Sequence, residues 1–438
     1  MPGREMDIAV VGSGISGLSA AWLLSKRHRV TVYEAAARPG GHSNTVEVGG
    51  VAVDTGFIVY NETTYPNLTA LFGHLNVPTK ASEMSFAVSL DNGGLEYAGT
   101  DLFGLFGQKR NVVRPRFWSM LADLRRFYAE APAKVAALPA GTTLGTFLDS
   151  EGYGQAFQLD HLLPMAAAIW SASAETLRDY PAAHFIRFCA NHGLLKFTDR
   201  PIWRTVDGGS REYVRRLLTE IGEIRLARGA VSVRRSLGSV AVRDAMGSEQ
   251  RFDHVVMACH ADQALAALEA PTARERTLLG AFGYTQNRAV LHSDVRLMPK
   301  RRNVWASWNY LGGRNHAGSL HVTYWMNRLQ GLAGTPPLFV TLNPAVEPAG
   351  DTVLREEIYE HPRFDTAAMR AQDSLWSLQG VERTWFCGAY FGSGFHEDGL
   401  QSGLAVAEQL GGVRRPWTVA NESGRITVTP VRVMEMAA

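Results

Sequence analysis

Asp7-Ile-Ala-Val-Val-Gly12-Ser-Gly14-Ile-Ser-Gly17-Leu18, followed by Arg29-Val-Thr-Val-Tyr-Glu34, reads as strand, tight turn, helix and second strand. Residues 7–11 are a short apolar run rich in β-branched side chains, which suits a strand buried on both faces. Gly12, Gly14 and Gly17 give the spacing G-x-G-x-x-G where that strand becomes the helix. The first glycine permits the turn, the second lets backbone approach a pyrophosphate, and the third lets helix pack on strand. A helix start also offers free N–H groups and a positive dipole end to phosphate. Glu34 ends the second strand about twenty residues after Gly14, the usual place for a carboxylate that accepts from a ribose hydroxyl. A carboxylate here, rather than an arginine, argues against a 2′-phosphate. The stretch predicts a Rossmann-like α/β dinucleotide site formed by Gly12, Ser13, Gly14, Ile15, Ser16, Gly17, Glu34 and Ala35, with NAD and FAD both open.

Working outward, Arg38-Pro-Gly40-Gly41-His42 brings an arginine and main chain toward a second part of a long cofactor. An NAD site on this fold does not need that loop, so the turn favours FAD. Residues 44–60 alternate as a hairpin turning at Gly49-Gly50, then enter a loop containing Thr55, Gly56, Phe57 and Ile58, also expected beside the cofactor. Residues 224–257 read as strands, Val231 among them, that return to complete the dinucleotide-binding sheet and lead into Ala258-Cys259. Far downstream, Thr384–Gly403 repeats the strand, glycine-rich loop and helix, the helix running to about Leu410. Gly388, Phe395, Glu397, Asp398, Gly399 and Ser402 are the contacts expected there. Two such loops at opposite ends of the chain suit FAD, whose long body needs support at both pyrophosphate and isoalloxazine.

A chain of 438 residues has room for two domains or more. No linker or repeat interrupts it, so the domains are expected to interleave. Residues 1–75, 205–265 and 375–412 are assigned to FAD binding. Residues 76–204 and 266–374 are assigned to an α+β substrate domain built on a mixed sheet, and 413–438 to a tail without functional signal. A net charge of +2 gives no pull toward nucleic acid. Cys189, Cys259 and Cys387 are odd in number and far apart, so neither a disulfide scaffold nor a metal site is indicated. No secretory pattern is visible, and no stretch approaches 18 uninterrupted apolar residues. A reducing compartment, the cytoplasm, fits these features.

The segment Gln108–Trp118 is basic and aromatic, and the helix after it carries Phe117, Met120, Leu121, Leu124, Phe127 and Tyr128 on one face. Such a face packs into a core more often than it lies on an anionic membrane surface. Residues 143–200 look mostly helical. Residues 280–345 read as a β-rich block whose aromatics, Tyr284, Trp305, Trp308, Tyr310, Tyr324 and Trp325, are expected mainly in the core.

Together these motifs resemble the flavin-containing amine oxidase and phytoene desaturase superfamily over residues 6 to about 410. Val53–Asn61, Thr64–Asn67, Met84–Ser89, Trp305–Asn309 and Val322–Gln330 further resemble a bacterial family of FAD-dependent oxidoreductases and the N-terminal flavin domain of plant cyclopropane fatty acid synthases. Bacterial members of that family accompany cyclopropane-synthase-like methyltransferases. The resemblance implies oxidation or desaturation of a modified fatty acyl chain, such as a methyl-branched one, esterified in phospholipid at the inner face of the membrane. Amine oxidases of the superfamily place a lysine near flavin N5. The corresponding strand here, Arg288–Ser293, offers His292 and no lysine. The C-terminal member of their aromatic pair falls near Phe395, which lacks a hydroxyl. Both departures weaken amine oxidation.

Flavin would accept a hydride from the acyl chain, and a base would take the accompanying proton. His292 is the first candidate base, with His42, His396 and Glu397 as alternates. Rival readings are a flavin-dependent double-bond isomerase, an amine oxidase, and a non-catalytic flavoprotein partner of a lipid methyltransferase.

Overall fold

The computed structural model describes residues 4–139, 141–170, 174–197, 199–314 and 316–430; the last eight residues of the expected tail lie outside these. A parallel five-stranded sheet forms around the opening stretch. Its order is Glu223–Arg225, Arg29–Tyr33, Asp7–Val11, His254–Met257 and Thr384–Phe386. Ile8, Ala9 and Val10 are fully buried, as a central parallel strand covered on both faces requires. The helix Ile15–Leu24 packs along the closing helix His396–Gly411, so the two ends of the chain meet across one core. A Cβ on Gly403 would stand 2.2 Å from the Ser16 carbonyl oxygen, which shows how near the two helices lie.

The second layer is a seven-stranded mixed sheet. Its order is Val353–Pro362, Tyr284–His292, Phe339–Leu342, His316–Trp325, Trp308–Gly313, Phe86–Leu90 and Leu95–Ala98. All its pairs are antiparallel except Trp308–Gly313 with Phe86–Leu90. Helices from residues 115–191 cover it. Phe117, Met120, Leu124 and Phe127 of the helix Pro115–Lys134 are buried in a core shared with Phe147, Phe157 and Phe185, so that apolar face belongs to the interior. None of the described helices is long and apolar enough to cross a membrane.

Two expectations need correction, one about strands and one about the tail. Only Glu223–Arg225 and His254–Met257 return to the parallel sheet. The strands between them, Ala230–Arg235, Val240–Asp244 and Glu249–Phe252, pair with one another as a separate antiparallel sheet. A run of alternating residues specifies a strand but not the partner that will bond it. The tail is not idle either. Arg415 is buried on Glu408 and Asn67, and Arg425 donates to Asp398 at 2.5 Å.

Candidate active site

The opening turn has the form of an anion cradle. Gly12 adopts a φ of 103°, and a Cβ there would stand 2.9 Å from the Ala258 carbonyl oxygen. A Cβ on Gly17 would lie 2.0 Å from the Gly12 carbonyl oxygen, so helix and strand touch only because that side chain is absent. Gly14 has open space where its Cβ would be, and it faces the cavity. The helix beginning at Ile15 has no side-chain cap and no acid in its first turn. Its leading N–H groups are therefore available to a phosphate. Glu34 accepts the Ser13 N–H at 2.9 Å and the Ala36 N–H at 2.8 Å, which fixes its carboxylate at the cavity wall. Arg38 donates to the Gly41 carbonyl at 2.8 Å and holds the second turn closed.

A single cavity of about 1440 Å³ runs from this cradle into the substrate half. Gly12, Ser13, Gly14, Ile15, Ser16, Glu34, Ala35, Arg38, Gly41 and His42 line it. So do Thr55, Gly56, Phe57, Ile58, Ala258, Cys259, Gly388, Phe395 and His396. Gly17 and Gly40 shape the cradle from behind its wall. Most of the sequence-predicted contacts are thus brought together from segments hundreds of residues apart. His396 stacks on Phe57 at 3.7 Å, and its Nε2 lies 2.9 Å from the Tyr213 hydroxyl and 3.0 Å from Ser43 Oγ. Burial pushes its imidazole down to about 3, so it is neutral. His42 is held well below its usual value, first by burial and then by His361 and His260 beside it. Its Nε2 is buried with no hydrogen-bond partner among the described residues.

The cavity continues between the seven-stranded sheet and its helices. There it is lined by Tyr97, Tyr128, His161, Met165, Ile169, Phe188, Trp308 and Tyr324. Phe395 stacks on Phe188 at 4.8 Å. Among the described residues no lysine lines the cavity, and each lining carboxylate is engaged. Glu83 pairs with Arg328 at 2.7 Å, Glu357 with Arg355 at 2.8 Å, and Glu360 accepts from the Gln286 amide at 3.3 Å. His161 sits on a π-helical turn, Gln158–Leu162, a distortion that commonly re-aims a functional side chain. Its Nδ1 lies 2.9 Å from the Tyr97 hydroxyl, and burial pushes it down to about 4.

Several predicted residues lie elsewhere. His292 is buried on the other side of its strand, with Nε2 2.7 Å from Thr341 Oγ1 and Nδ1 accepting the Asp294 N–H at 3.1 Å. It packs against Phe339 and does not line the cavity, so it is no candidate base. Glu397 accepts the N–H groups of Asn67 and Leu68 at 3.0 Å each and caps the helix Pro66–His74. Asp398 accepts the N–H groups of Ser393 and Phe395, and Ser402 accepts that of Gly388. Gly399 abuts Ser16 Oγ. These four build the closing turn rather than the cavity wall. Val231 is 52% exposed and does not line the cavity; it sits at a register shift between Ala230 and Ser232, while Gly229 and Ala230 just before it line the cavity. Unforeseen lining residues are His161, Tyr359 and His361. The last two ride on Val353–Pro362, a strand too polar on its exposed side to read as one.

The uncapped helix start, the glycine cradle, the strand-end carboxylate and the elongated cavity fit a flavin dinucleotide. Gly12–Ser16, Glu34, Arg38, Ala258 and Gly388 would hold it. Residues 15–297 match the family described as flavin containing amine oxidoreductase. No curated protein matches the chain in sequence. Among solved structures, a putrescine oxidase variant superposes with a TM-score of 0.68 at 15% identity, covering 93% of this chain and 98% of that one. The CLA-producing fatty acid isomerase from P. acnes gives a TM-score of 0.66 at 14% identity, over 92% and 97% of the two chains. Cyclohexylamine oxidase from Brevibacterium oxydans gives 0.66 at 15%, over 93% and 100%. At such identities the likeness is one of fold.

Proposed function

The chain belongs to the flavin-containing amine oxidoreductase family and is an FAD-dependent oxidoreductase; we propose that what it oxidises is a fatty acyl chain. The substrate we infer is methyl-branched or similarly modified, and esterified in phospholipid. One observation carries the reading: the long, mainly apolar chamber that opens from the dinucleotide site has, among the described residues, no free carboxylate to hold an alkylammonium. Aromatic and aliphatic walls favour a hydrocarbon chain and exclude water from it. FAD, when bound, supplies the hydride acceptor. Phe395, Phe188, Trp308 and Tyr324 would confine the chain, and neutral His161 replaces His292 as the group that takes the departing proton. A cyclopropane-synthase-like methyltransferase is the partner reaction we infer to supply the modified chain.

The test is to add phospholipids with unsaturated, cyclopropane or methyl-branched chains to the purified protein without oxygen and follow the visible flavin band. Bleaching by one lipid class, and not by alkylamines, is expected. Bleaching by polyamines with peroxide release would overturn the reading. Migration of a double bond with no electron acceptor would instead favour isomerisation, the activity in the name of the P. acnes neighbour. His161→Gln should keep its flavin and slow bleaching at least about a hundredfold.

A further inference from the structure

Of the sixteen large apolar side chains that are exposed among the described residues, five fall within one short stretch: Leu102, Phe103, Val112, Val113 and Trp118. Phe103 is 87% exposed and Val113 80%. They form one patch. The Trp118 indole donates to the Val112 carbonyl at 2.8 Å, and Phe106, which follows Leu102–Leu105, stands 5.7 Å from Trp118. Within the same stretch Lys109 and Arg110 are exposed, with no carboxylate in ion-pair range among the described residues. The nearby acid, Asp101, is occupied by the Gly104 N–H at 2.7 Å.

The patch borders an opening of the cavity. Gly99 and Thr100, immediately before it, are exposed and line the cavity. Across Phe86, to which Gly99 is hydrogen-bonded, the rim continues through Ser82–Ser85 to Trp203. Exposed Ile202 and Arg200 complete it. Phe197, 60% exposed, lies 5.0 Å from Tyr128 of the cavity wall. Trp118 and Tyr128 share one helix, about 15 Å apart along its axis.

We propose that residues 99–118, with Phe197 and residues 199–202 of the rim, dock on an anionic phospholipid bilayer. Phe103, Val113 and Leu102 would insert among the acyl chains, Trp118 would sit at headgroup level, and Lys109 and Arg110 would face lipid phosphates. Exposed apolar side chains of this number, rimmed by unpaired cations, match such a surface and not water. The cavity mouth then faces the bilayer, and a lipid chain reaches the chamber without crossing solvent. This last step rests on the acyl-chain reading above; the docking itself does not.

The test is co-sedimentation of the flavin-loaded full chain with phosphatidylcholine vesicles, with and without phosphatidylglycerol. Wild type should pellet with the anionic vesicles and be released by salt. K109E/R110E should weaken that binding at least about tenfold. Phe103→Glu with Val113→Glu should weaken it comparably, with flavin content per chain unchanged in both variants. Wild type remaining in the supernatant with both vesicle types would overturn the proposal and mark the patch as a protein-docking face. Variants that pellet like wild type would overturn it too. Bleaching by detergent-dispersed acyl substrate reads the chemistry separately, so failure of docking and failure of the acyl reading are distinguishable.

Discussion

The chain turns from strand to helix through glycine twice, at Gly12–Gly17 and at Gly388–Gly399, and the two turns do opposite things. The first helix starts bare, without cap or acid, and opens onto the cavity. The second starts with Glu397 and Asp398, both fully buried and both satisfied by protein. Asp398 gathers the N–H groups of Ser393 and Phe395, and Arg425 pairs with it. Glu397 serves another helix altogether. Glycine spacing alone made the turns look alike. What separates them is a carboxylate in the first turn, which places the anion inside the protein and leaves no vacancy for a phosphate.

Breaking the first turn should have the largest effect. Gly17→Val places a Cβ 2.0 Å from a carbonyl oxygen that cannot retreat without moving the central strand. Loss of the flavin chromophore and a protein recovered largely unfolded are expected, read by visible absorbance per chain and by thermal unfolding. Breaking the second turn should instead cost stability and spare the cofactor. Asp398→Ala strands Arg425 and two N–H groups, which should cost roughly 3 kcal/mol in urea unfolding, while molecules that remain folded keep a full complement of flavin. If Asp398→Ala removed flavin before it lowered stability, the second helix start would bind a cofactor phosphate after all. Glu34→Gln sharpens the comparison at lower amplitude. It keeps the shape but weakens the charge-assisted bond to ribose, so FAD affinity should fall about tenfold, with little change in stability of the apoprotein.

The difference between the turns also shows what can be read from residues in order. The run from Asp7 to Glu34 is decided by contacts within one βαβ unit, so its glycines and its acid mean the same thing in the sequence as in the fold. His292 is different. Its strand was evident, but whether it or Leu291 faces the helix-covered core on the chamber's side of the sheet depends on which strands flank it, and a shift of one residue reverses the answer. Val231 and Ala230 repeat the lesson. His161 gave no signal, because an isolated histidine in an apolar helix takes its meaning from the Tyr97 and Tyr128 hydroxyls and the sheet that closes over it. Tyr359 and His361 were hidden for another reason: their strand carries Arg355, Glu356 and Glu357, whose charges mask its alternation.

The smallest effect is expected at His396, the residue that opens the second helix yet stacks on Phe57 of the cofactor wall. Its imidazole titrates at about 3 when folded, because burial disfavours the cation, against an ordinary value of 6.5. The unfolded chain therefore takes up a proton that the folded chain refuses. Stability from this group is complete above pH 6.5 and declines as pH falls toward 3, with roughly 1 kcal/mol gone by pH 5.5. His396→Gln keeps a polar planar group beside Tyr213 and has no such proton to take up. In urea titrations of the apoprotein, its stability should fall less steeply than wild type between pH 6.5 and 5.5, and the two curves should run parallel above pH 7. Parallel curves across the whole range would mean that His396 is solvated rather than sealed against Phe57.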